Sequence, residues 1–110
     1  MNDDLDLGNG VTLRFVRWAP DRELNPQYDG IPDVEKYGAV LSHHHHVVAG
    51  DEPLLCEGYV TFDGDVQRRL DPTGRAMWKV ESWDPLTLSP SIVSPCGLHG
   101  FVRGGRWVPA

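Results

Sequence analysis

A chain of 110 residues has room for one modest core, so residues 1–110 are read as a single domain. Ten basic against sixteen acidic residues give a net charge of −6, which argues against a nucleic-acid binder, because phosphate neutralisation supplies most of that affinity. Twelve glycines and nine prolines predict many turns and little helix.

No apolar run reaches the length of a membrane span, and the acidic start, with Asp3, Asp4 and Asp6, lacks the basic n-region of a signal peptide. A cytoplasmic protein with no membrane contact is therefore expected. In that compartment two cysteines are read as a metal pair or free thiols before a disulfide. Arg68, Arg69, Arg75, Lys79, Arg103 and Arg106 fall in the second half and leave room for a local basic patch.

Residues 11–18 read as the first strand, with Val11, Leu13 and Phe15 alternating with Thr12 and Arg14. The apolar phase slips at Phe15-Val16, which suggests a bulge. Residues 19–37, broken by Pro20, Pro26, Gly30 and Pro32, read as a long ordered loop with at most a helical turn near Asp33–Lys36. Residues 38–43 and 58–62 are two further short strands, with the histidine run and residues 47–55 as the loop between them. Val66–Leu70 suggests a helical turn. Residues 76–83 form the strongest β segment, with Trp78 and Val80 on one face. Residues 85–90 are proline-bounded, so a strand there is short or at an edge. Phe101–Arg103 and Arg106–Val108 read as a hairpin closed by Gly104-Gly105, two residues suited to a type I′ turn.

Cys96-Gly97-Leu98-His99 offers a thiolate and an imidazole three residues apart. A second pair comes from Cys56 and one histidine of His43, His44, His45 and His46. Two sulfurs and two nitrogens suit a closed tetrahedral zinc site, and a small, loop-rich domain gains from such a tie. Buried or free cysteines, a Cys56–Cys96 disulfide, and adventitious metal on a surface histidine run are the competing readings. A catalytic zinc lacks a general base at a recognised spacing. Ser89, Ser91 and Ser94 flank prolines without an elbow motif or a paired base. Trp18, Trp78, Trp83 and Trp107 are read as core and rim before ligand platform. The loop of residues 19–37 carries Arg22 and Tyr28, residue types favoured as binding anchors, so these two are the expected partner contacts. Cover for a sheet edge is the alternative for that loop.

The run Trp78 to Ile92, followed by Cys96-Gly97-Leu98-His99-Gly100-Phe101-Val102-Arg103, resembles a family of small actinobacteriophage proteins with bacterial relatives, a domain of unknown function. Pro20–Tyr28, Ile31–Gly38 and Phe62-Asp63-Gly64 resemble it too. The resemblance implies a metal-binding knuckle whose ligands, matched by position, are His43, Cys56, Cys96 and His99. Val93 stands where many relatives carry a further cysteine, which places more weight on His99. The expectation is a small all-β sheet or sandwich domain stabilised by zinc. It is expected to act as a protein-binding accessory module in the host cytoplasm on a host or defence factor. The alternatives are a minor virion component and a zinc-dependent enzyme.

Overall fold

Strand β2 (Val11–Trp18) occupies the predicted range, with Val11 and Leu13 buried and Thr12 and Arg14 exposed, as two-residue alternation requires. It lies in an antiparallel meander with β1 (Asp4–Gly8), β3 (Val34–His45) and β4 (Leu54–Thr61), in the order β1-β2-β3-β4. This computed structural model describes residues 4–45, 54–73 and 76–110.

The meander is longer than the sequence implied. Strand β1 forms despite its aspartates because Leu7 is buried and Leu5, two residues away on the same face, packs against the core, while Asp4 and Asp6 are exposed. Strand β3 begins at Val34 and runs through His45, so part of the expected loop and of the histidine run is strand. The helical turn expected near Asp33–Lys36 lies instead at Pro26–Tyr28, a single 3-10 turn, where proline is pre-set for a first helical position. The register shift falls between Val16 and Trp18, beyond the expected bulge.

The second half is built from short pieces. Helix α1 (Asp65–Leu70) is as expected. It is followed by the pair β5 (Lys79–Trp83) and β6 (Leu86–Ser89), and by a three-stranded sheet of β7 (Ile92–Val93), β8 (His99–Arg103) and β9 (Arg106–Pro109). The β8–β9 hairpin closes through Gly104 and Gly105, at φ 58° and 74°, values that other residues rarely adopt. Phe62 forms a parallel bridge with Trp78 and joins the halves.

One buried cluster spans both halves. Leu7, Val11, Leu13, Ala39, Leu41, Val60 and Phe62 come from the first, and Leu86, Leu88, Ile92, Val102 and Trp107 from the second. Full burial of each such leucine contributes about 1.5–3 kcal/mol. At the rim, the Asn9 side-chain amide donates to the Trp107 carbonyl at 2.9 Å and ties the first turn to the last strand. The expected all-β class is what the chain adopts.

Candidate metal centre and serine–histidine pair

The register of β3 on β4 sets His43 directly opposite Cys56, and both are buried. Their neighbours Ser42 and His44 are more exposed. From the second half, a tight turn held by Ser94 N–H to Leu98 O and Gly97 N–H to Ser94 O, both 2.8 Å, presents Cys96. Its Sγ lies 3.0 Å from His43 Nε2. The ligand atoms of His43, Cys56 and Cys96 all lie within 4.8 Å of one another, so the three form a group that can hold a metal ion. Two sulfurs bound to one ion at about 2.3 Å stand about 3.8 Å apart, a separation inside that limit.

Both cysteines are free thiols, so the structure holds no Cys56–Cys96 disulfide. The hydrogen bond to Cys96, followed by burial, pushes the Cys56 thiol above its ordinary value. Ion uptake therefore requires proton release from this pair. His44 is exposed and lines an open hollow of about 450 Å³ together with Asn9, His43, Cys96, Gly97 and Leu98. The side chain of His45, and His46 entirely, lie outside the described residues.

His99 is placed elsewhere. Pairing of Ile92 with Gly100 and Val93 with His99 puts Ser91, Val93, His99 and Phe101 on one face of the β7–β8 hairpin, because side chains alternate along each strand. The opposite face, Ile92, Gly100 and Val102, is buried. On the outer face His99 Nε2 lies 2.9 Å from Ser91 Oγ. His99 was expected as the fourth ligand; among the described residues the grouped ligands are three, and its ring nitrogen meets a serine hydroxyl.

This pair is fixed from behind. The Trp78 indole N–H donates to the Ser91 carbonyl at 3.2 Å, and the Ala110 N–H donates to the His99 carbonyl at 3.0 Å. A serine oxygen 2.9 Å from an imidazole nitrogen lies within reach for proton transfer, the arrangement that activates a serine nucleophile. In the sequence alone Ser91 has no base at a recognised spacing. The available signal was a serine and a histidine eight residues apart across a turn, a spacing that brings them together only if the hairpin forms in this register.

Arg22 and Tyr28 make contacts within their own segment and with Trp18 at the end of β2. Arg22 donates to the Ile31 carbonyl at 2.5 Å and to Asp33 Oδ1 at 2.8 Å, and its guanidinium lies 5.9 Å from the Trp18 ring centre. Tyr28 meets the same ring edge-on at 5.4 Å.

A family model described as "Bacterial ubiquitination-like system serine protease (BubE)" matches residues 59–110. The matched stretch contains Ser91, His99 and Cys96 and stops short of His43 and Cys56. The second half of the chain is therefore similar to a serine protease family of a bacterial system, and the phage character of the resemblance above gains no support. No curated protein and no solved structure matches the chain.

Proposed function

We propose that this protein is a serine hydrolase of the protease type, working in a bacterial ubiquitination-like system, with Ser91 as nucleophile and His99 as its base. The observation that carries this reading is the 2.9 Å contact between Ser91 Oγ and His99 Nε2, which lies inside the stretch similar to a serine protease family. In the reaction, Ser91 Oγ attacks the substrate carbonyl carbon while its proton passes to His99 Nε2. His99 returns that proton to the leaving amine as the scissile C–N bond breaks, leaving an acyl ester on Ser91. Water then attacks the ester, His99 takes its proton, and transfer of that proton back to Ser91 Oγ releases the acid.

His43, Cys56 and Cys96 would hold zinc, the ion their soft donor set favours. The ion would supply a cross-link between strands and take no part in bond breaking.

A fluorophosphonate probe with intact-mass detection tests the reading. One adduct per chain is expected, on Ser91, and Ser91→Ala or His99→Ala should abolish it. A wild-type protein that stays unlabelled while zinc-loaded and folded overturns the proposal.

The three-residue ligand group also favours a second reading, a zinc-stabilised module that binds a protein partner without chemistry. That reading gains if zinc is bound, the probe does not react, and Arg22→Ala with Tyr28→Ala weakens partner capture.

A further inference from the structure

We propose that Cys96 is a positioning residue for the Ser91–His99 pair, acting through a metal ion shared with His43 and Cys56. The inference rests on the hydrolase reading above.

Cys96 sits in the turn of residues 94–98, and that turn joins the strand that follows Ser91 to the strand that begins with His99. The hairpin it closes is slight: β7 has two residues and pairs with β8 only at Ile92–Gly100 and Val93–His99. So short a ladder is marginal without further support. The other two ligands stand opposite each other on β3 and β4, which belong to the four-stranded sheet. An ion at this group would therefore fasten the tip of the hairpin to the broad sheet, replacing the weaker hydrogen bond between His43 Nε2 and Cys96 Sγ at 3.0 Å with bonds to a shared centre. Pro95 and Ser94 lie against Gly58 of β4 at ordinary van der Waals distance, 3.5–3.9 Å from where a Cβ would stand.

None of the three ligands belongs to the main buried cluster. Losing the ion should therefore loosen the turn before it unfolds the sheets. His99 would then swing relative to Ser91, and a proton transfer that depends on a 2.9 Å approach is sensitive to displacements near 1 Å.

The test uses the whole chain in three states: zinc-loaded, stripped by a chelator, and stripped then given one equivalent of zinc. Zinc content, the rate of Ser91 labelling by the fluorophosphonate, and peptide-level hydrogen exchange are measured on each. The expected result is a labelling rate at least about 10-fold lower in the stripped protein, restored by zinc. Exchange should rise over residues 94–99 while β2 and β3 stay protected. Cys96→Ser should behave as the stripped protein, without recovery on zinc addition. An equal labelling rate with and without zinc overturns the coupling and leaves the hydrolase reading standing. Exchange that rises throughout β2 and β3 on stripping makes the ion a support of the whole fold and also overturns it. A zinc-loaded protein that never labels removes the hydrolase reading itself, and a protein that takes up no zinc removes the ligand group.

Discussion

The strands of the first half are five to twelve residues long and share one uninterrupted sheet. Those after Phe62 are two to five residues long and divide between two small sheets. The halves share one core, yet they carry different loads. The broad sheet supplies a platform and two of the three ligands, while the short strands carry Ser91, His99 and Cys96. The proposed chemistry would thus sit on the shorter-stranded half, tied to the platform by the Phe62–Trp78 bridge and the Asn9 amide, with the Trp78 indole relaying the first of these to Ser91.

Substitutions in the two halves should separate these loads. Leu13→Ala, at a fully buried site on the platform, should lower stability by about 2–5 kcal/mol in a urea titration. Because both halves share the cluster, Ser91 labelling should be lost over the same denaturant range. Two separate transitions would show that the halves fold independently. Gly100→Ala acts from the other side. A Cβ there would stand 2.6 Å from two ring atoms of Trp107 and 2.8 Å from the Val108 carbonyl. The ring would have to shift, at a cost of about 1–3 kcal/mol, and His99 would move with it. Labelling should fall more than melting temperature does, and unchanged labelling would show that β8 is held independently of Trp107.

Trp78→Phe keeps a ring in place and removes the N–H on the Ser91 carbonyl. A loss of about 0.5–1.5 kcal/mol is expected, with labelling slowed at saturating probe and probe affinity unchanged. The smallest effect belongs to the platform. Burial, then the charges of Tyr59 and Asp71, raise the Tyr37 hydroxyl above its ordinary 10.0. The folded chain thus favours the protonated phenol, a preference present in full below pH 10.0 and lost as pH climbs through the raised value. Melting temperature should decline on that alkaline side, and Tyr37→Phe should decline less.

Much of the platform was legible because its residues obey a period of two. Val11 to Trp18 alternate plainly, and Gly104-Gly105 announces its turn. Strand β1 was not legible, since two inward leucines, Leu5 and Leu7, among aspartates in a five-residue strand are too short a pattern. Nor was β7, where two residues hold no period. The histidine run read as loop because polar side chains hide strand register, yet the register is what set His43 opposite Cys56. The ligand group was thus readable from residue type for Cys56, Cys96 and one histidine of the run, and it was the resemblance that singled out His43. His99 carries the same chemistry for a metal or for a serine, and only the pairing across the turn distinguishes the two.

The bond from Asn9 to the Trp107 carbonyl joins positions 98 residues apart, and β1 lies against β9. Contacts so distant along a chain form late, because a large loop must close before they return anything. The meander of neighbouring strands can assemble from local encounters, whereas β9 docks only onto a finished edge. Strand β8, with His99 at its head, pairs with β9 on one side and β7 on the other. Unfolding should take the reverse route, so the first opening of a native molecule frees β9 from the platform edge and leaves the histidine and its serine, eight residues apart, held only by their own short hairpin.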